Sequence, residues 1–192
     1  MCFNSKECTS RTASAGTCTC GGAEGGFEIR EATLADIPAV AALVQELAAF
    51  ENLHHECEET PLLLSKHLFG PGAAATALIA HHRQNVAGIA VWYRTFSTFL
   101  GRPGAFVEDL YVRPQFRKHG LGRQLLTAVA QQAQRQGCAR LEWRTLKWNE
   151  TALGFYKNLG AEVLAEWTTL RLDASHLFDL PNAVKTAAPC KL

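Results

Sequence analysis

Hydrophobic and polar positions alternate, cluster and repeat along this chain in a way that predicts its elements. Phe27 to Ala32 reads as a short first strand. Thr33 and Asp36 then stand at capping-box spacing, with Asp where Glu is usual. Ile37, Val40, Ala41, Val44, Leu47 and Ala48 give one apolar helical face, ending near Phe50-Glu51. Thr60-Pro61 predicts a second helix start, with Leu62 to Phe69 as its body and Gly70-Pro71-Gly72 as its stop. Ala75 to His81 and Val86 to Thr95 read as strands joined by a polar turn at Gln84-Asn85. Strands in direct succession are most simply antiparallel.

The most continuous apolar run, Phe106 to Val112, is interrupted only by Glu108 and Asp109 and predicts a strand buried on both faces. Pro114 stops it. Arg117 to Arg123 follow as a basic turn with two glycines. Leu121, Leu125, Ala128, Val129 and Gln132 then keep helical spacing up to a C-terminal cap at Gly137. Arg140 to Leu146 predicts a fifth strand, parallel to the 106–112 strand through a right-handed crossover. Asn149 caps a helix to Leu159, and Glu162–Ala165 and Trp167–Leu172 predict two last strands. The expected fold class is mixed α/β (α+β). Its sheet has six to seven strands, mostly antiparallel with a parallel central pair, flanked by about four helices.

Composition adds three constraints. At 192 residues the chain suits one domain with a substantial core, placed at 27–180, with a loose C-terminal tail over 181–192. A net charge of +1 gives no reason to expect a nucleic-acid or membrane surface. No apolar run approaches the roughly 20 residues of a membrane span. Residues 1–26, rich in Ser, Thr, Gly and Cys, read as a disordered tail. Four of the seven cysteines lie there (Cys2, Cys8, Cys18, Cys20), at a spacing that matches no zinc pattern. Reduced thiols in the cytoplasm are expected, with an organelle address in the tail as the weaker alternative. No metal is expected, because the adjacent His54-His55 beside Cys57 are poorly placed to ligate one together.

The candidate chemistry lies at three places. In the turn, Gly120 and Gly122 let a ligand approach the backbone, and a helix start offers free N–H groups to an anion. Arg117, Lys118 and Arg123 add positive charge. A pyrophosphate-bearing cofactor fits; so does a plain capped turn with solvated basic residues. A P-loop fits less well, because Arg123-Gln124, not Lys-Ser/Thr, follows the last glycine. Second, Glu51, Glu56, Glu58 and Glu59 crowd residues 51–59, which suits either steering of a cationic amine or a solvated connector. Third, Glu108 and Asp109 interrupt the apolar strand. On a two-residue period Glu108 shares a face with Phe106 and Leu110, and Asp109 with Val107 and Tyr111, so one acid would meet an acceptor cleft and the other a structural partner.

Arg117-x-x-Gly120-x-Gly122 between strand and helix resembles the acetyl-CoA signature of the GNAT N-acetyltransferases. Three segments bring the chain nearer to the spermidine/spermine (diamine) and thialysine acetyltransferase branch. They are Ile29-Arg30-Glu31-Ala32-Thr33 with Glu46 to Glu51, Glu108 to Val112 with the turn, and Trp148-Asn149-Glu150 followed by Phe155 to Gly160. The resemblance implies acetyl transfer from acetyl-CoA, as co-substrate, to a primary amine of a small di- or polyamine or a lysine-like amino acid. The alternatives are a protein N-terminus or lysine as acceptor, or a non-catalytic acyl-CoA-binding module. It implies a homodimer paired through late strands.

Such a reaction must remove a proton from an ammonium of pKa about 10.4, stabilise an oxyanion, and neutralise a thiolate whose thiol pKa is about 8.5. The resemblance puts the base at Glu108, acting through water, and the general acid at Tyr156, which by spacing alone would be core. It puts cofactor contacts at Leu110, Tyr111, Val112, Arg117, Lys118, His119, Gly120, Leu121, Gly122, Arg123, Asn149 and Tyr156. Phe50, Glu51 and Glu108 fall beside the amine. Phe50 stands where relatives commonly carry Tyr, and Lys118 where they often carry Gly.

Overall fold

A computed structural model describes residues 26–183 and divides after Leu146 into two compact units. In the first unit, β1 (Phe27–Glu31), β2 (Thr76–His82), β3 (Asn85–Ser97), β4 (Arg102–Val112) and β5 (Leu141–Trp143) form one sheet in the order β1-β2-β3-β4-β5. The first four pair antiparallel, and β4 with β5 is parallel. Helices α1 (Ile37–Phe50) and α2 (Pro61–Phe69) follow β1, and α3 (Leu121–Arg135) joins β4 to β5. The second unit holds α4 (Glu150–Lys157) and α5 (Ala174–Ala183).

The mixed, mostly antiparallel sheet agrees with expectation, with two differences. The parallel pair is not central, because β5 is the edge strand among the described residues. Residues 162–165 and 167–172 form no strand there, so five strands stand where six to seven were expected. A strand needs a ladder partner, and Val163, Trp167, Leu170 and Leu172 are exposed instead. Five α-helices occur among the described residues, in line with the expected about four. The fifth begins where Asp173 accepts from the His176 N–H at 3.0 Å, a cap that carries helix into the expected C-terminal tail. The tail expected over residues 1–26, with its four cysteines, lies outside the described residues except for Gly26.

Local rules explain the elements that frame the site. The capping box is present: the Thr33 N–H and hydroxyl both donate to Asp36 Oδ2, at 2.7 and 2.8 Å. Arg30 of β1 adds a two-pronged contact to the same carboxylate, Nη1 to Oδ2 at 2.7 Å and Nη2 to Oδ1 at 2.8 Å. These bonds hold the Asp36 carboxyl far below the usual carboxylate range, the Arg30 contact most of all. The depressed pKa stabilises the fold above the unfolded value and ceases to do so as pH falls through it. Replacing Asp36 with Asn is therefore expected to cost about 1.5–3 kcal/mol at neutral pH, read as a fall of several degrees in Tm. A Tm unchanged from wild type would show that the pair contributes nothing.

Helix α1 packs Val40 and Leu43 onto Ala77, Ile79, Ile89, Val91 and Tyr111 of the sheet, all buried, with Leu64 and Leu68 of α2 alongside. On the opposite face α3 buries Leu121, Leu125, Leu126, Val129 and Ala133. Gln132, expected on that apolar stripe, links polar atoms instead. Its Oε1 accepts from Trp92 Nε1 at 3.1 Å, and its Nε2 donates to Glu31 Oε1 at 2.7 Å.

Candidate active site

The site is built on an irregularity in β4. In the β3–β4 ladder Val91 lies opposite Asp109 and Trp92 opposite Val107, so Glu108 is an extra residue with no partner. This is a β-bulge, which bends a strand and re-aims side chains. It has two consequences. The parallel ladder with β5 stops at Val107–Trp143, leaving the β5-facing edge of Glu108 to Val112 without a ladder partner among the described residues. The alternation expected from the sequence is also broken. Asp109 lies opposite Val91 and so shares the α1 face with Tyr111, while Glu108 turns to Arg144 (3.5 Å) and the Tyr93 phenol.

The bulge thus groups carboxylates rather than separating them. Asp109 is half-buried, and its carboxyl is pushed up to about 6 by burial first and then by the charges of Glu108 and Glu51. Glu51, at the end of α1, is itself raised by burial. The connector joins the group: Cys57 Sγ lies 3.8 Å from Glu59 Oε1, and its thiol is raised by burial, then by Glu59, with Asp109 a smaller contribution. Glu59 Oε2 is buried with no hydrogen-bond partner among the described residues. Partly desolvated carboxylates grouped in this way repel one another, and a nearby cation relieves that repulsion, as Arg144 does for Glu108. No group of three or more His, Cys, Asp or Glu placed to hold a metal occurs among the described residues. His54 and His55 stack edge to face at 5.8 Å.

The basic turn lies one short 3₁₀ turn beyond β4. Gly120, with φ 78°, is the N-cap of α3 and makes no side-chain cap, so the helix start faces outward uncapped. The N–H groups of Lys118 to Arg123 find no main-chain acceptor among the described residues. Lys118 also has positive φ, 66°, which is why a glycine suits this place. Lys118, His119 and Arg123 are exposed. Arg117 differs: its Nε donates to Val112 O at 2.8 Å, and its guanidinium lies over the Phe50 and Tyr111 rings. These N–H groups and the open edge at Leu110, Tyr111 and Val112 fit a phosphate-bearing ligand with an amide arm.

Asn149 and Tyr156 belong to the second unit. Asn149 Oδ1 accepts from the Ala152 N–H at 3.1 Å and so caps α4. Tyr156, half-buried, packs against Phe155 with ring centroids 5.1 Å apart. Within the first unit the structure gathers Glu51, Glu108 and the bulged strand. Sequence reasoning gave Asp109 only a structural partner and did not find Arg144 or Tyr93; an adjacent Glu-Asp pair inside an apolar strand was the available signal.

Comparison with known proteins places the chain in a family. The profile of the Acetyltransferase (GNAT) family matches residues 41–161. An L-ornithine N5-acetyltransferase of Arabidopsis thaliana is 30% identical, over 80% of this chain and 88% of its own. A thialysine N-epsilon-acetyltransferase of Mus musculus is 32% identical, over 79% of this chain and 95% of its own. Among solved structures, an integron cassette protein from the mobile metagenome of V. cholerae shares the fold with a TM-score of 0.69, at 24% identity over 83% of this chain and 99% of its own. Profile, relatives and fold together establish that the chain belongs to the GNAT family and is an acyltransferase.

Proposed function

We propose that the protein transfers an acetyl group from acetyl-CoA to a primary amine of a small diamine-type acceptor, a diamino acid or polyamine. The observation that carries this reading is the carboxylate group of Glu51, Glu108 and Asp109 beside the open edge of β4. A second cationic group on the acceptor would balance that charge once the reacting amine is neutral. The named substrates of the relatives, ornithine and thialysine, are both diamino acids.

Acetyl-CoA would lie along Leu110, Tyr111 and Val112, with its pyrophosphate on the N–H groups from Lys118 to Arg123, and would supply an acetyl thioester. Glu108 accepts the ammonium proton, directly or through one water. Asp109 and Glu51 hold the acceptor's cationic end. Tyr156 Oη holds the proton that the leaving sulfur takes up. The main-chain donors freed by the bulge face the developing oxyanion.

The test is thiol release from acetyl-CoA with ornithine, thialysine, lysine, putrescine, spermidine and short peptides. Turnover with a small diamine, lost in Glu108→Gln, is expected. Turnover only with peptides would move the reading to a protein acceptor, and tight acetyl-CoA binding without turnover would leave a binding module.

Lys118 offers a separate check on the turn. Replacing it with Gly relieves a left-handed backbone at a cost in unfolded-state entropy, so stability is expected to rise by about 0.5–1 kcal/mol at most. The lost charge is expected to weaken acetyl-CoA binding, more at low salt than at high. Binding unchanged at both would remove Lys118 from the site.

A further inference from the structure

Arg117 is set apart from the other cations of its turn. Lys118, His119 and Arg123 are exposed, whereas Arg117 is half-buried and its guanidinium is already engaged. The guanidinium carbon lies 4.8 Å from the Phe50 ring centroid and 5.6 Å from that of Tyr111, and Nε is committed to Val112 O. Phe50 is the last residue of α1, 40% exposed, and directly precedes Glu51 of the carboxylate group. Tyr111 and Val112 belong to the stretch of β4 whose edge is open. One side chain therefore joins three parts: the acceptor end of α1, the ligand-facing end of β4, and the basic turn.

A second contact repeats the arrangement one helical turn back. Arg113 Nη2 donates to Glu46 Oε1 at 2.7 Å and Nη1 to Val86 O at 2.9 Å. Glu46 and Phe50 stand four residues apart on α1, as Arg113 and Arg117 do on the segment after β4. The end of α1 is thus fastened to the turn by two rungs, one ionic and one aromatic.

We infer that Arg117 is a positioning residue for the amine acceptor, acting through Phe50 to place Glu51, rather than a ligand of the cofactor's pyrophosphate. The inference rests on the proposed acetyl transfer to a small amine. A flat guanidinium is required, because it stacks on rings and donates from its edge at once; the compact ammonium of lysine does not do both.

Three variants test it: Arg117→Gln, Arg117→Lys and Phe50→Leu. For Arg117→Gln, the KM for the amine is expected to rise roughly tenfold. Acetyl-CoA affinity, measured by calorimetry at low and physiological ionic strength, is expected to stay within about twofold, with its salt dependence intact. Arg117→Lys is expected to behave like Arg117→Gln. If Arg117→Gln instead weakens acetyl-CoA binding, flattens the salt dependence and is rescued by lysine, Arg117 is a phosphate ligand and the inference falls. Absence of turnover with every amine would refute the proposed function, and a thermal-melting cycle then decides on the clamp alone. The Tm loss of Arg117→Gln/Phe50→Leu is expected to be smaller than the sum of the single losses. Strictly additive losses would overturn the clamp.

Discussion

Replacing Tyr156 with phenylalanine is expected to lower kcat by about 10²- to 10⁴-fold, the range supplied by a positioned proton donor. The substitution is conservative. The ring that packs on Phe155 at 5.1 Å is retained, α4 keeps its Asn149 cap, and only the hydroxyl is lost. Acetyl-CoA and amine KM values are expected to change little, because the proton is needed only as the C–S bond breaks. Steady-state kinetics across pH would decide the matter. The loss should be smallest at low pH, where solvent protonates the leaving thiolate, of conjugate pKa about 8.5, most readily. A kcat within twofold of wild type at every pH would reduce Tyr156 to a packing residue, the role that its spacing alone suggests.

Asp109→Asn is expected to make the protein more stable and the enzyme worse. In the unfolded chain the carboxyl titrates at its ordinary value of 3.8, and in the folded protein at about 6. A raised acid binds its proton more tightly in the native state, so ionisation opposes folding. The penalty is absent below the unfolded value, grows between the two, and is constant above about 6. The rise from 3.8 to about 6 corresponds to about 3 kcal/mol at neutral pH as an upper bound. The variant should therefore gain several degrees in Tm at pH about 8 and clearly less at pH about 5. Its KM for the cationic acceptor should rise roughly tenfold or more, since a charge in the carboxylate group is gone. A variant of unchanged stability at both pH values would show that Asp109 is well solvated and that the strained charge lies elsewhere. The gain in stability and loss of binding share one cause: desolvated like charges stored for a cation.

The parts of this protein that follow from local chemistry could be read in its sequence. Thr33 and Asp36 form the expected box, Thr60 accepts from the Leu63 N–H, and Asn149 caps α4 as its position indicated. Ile37, Val40 and Ala41 of α1 and Leu121, Leu125 and Val129 of α3 are buried as their periodicity required, but Leu43, Leu126 and Ala133 are buried as well and Gln132 is engaged in polar contacts. What could not be read is set by pairing at a distance. An extra residue at Glu108 exists only relative to β3, so a period-two reading sent Glu108 and Asp109 to opposite faces when both take part in one group. The alternation in Glu162 to Leu172 expresses strand preference, but preference supplies no partner. Arg117 looked like its basic neighbours because nothing in a sequence places the Phe50 and Tyr111 rings against it.

The single unpaired residue of β4 also acts as a phase break. From Gly104 to Val107 the strand answers to the core: Ala105 and Val107 are buried and their neighbours are fixed on both edges. From Glu108 to Val112 one edge is given up to whatever binds there. The two halves are out of step by one residue, so a change of side chain in one need not be compensated in the other. Asp109 to Val112 resume pairing with β3 one residue out of step, and Tyr111 there is still buried in the core, while the register that Ala105 to Val107 share with β5 is untouched by the break. A continuous ladder would have held both edges of β4 in one register; one residue without a partner lets the strand keep β3 along its length while its other edge stays open beyond Val107.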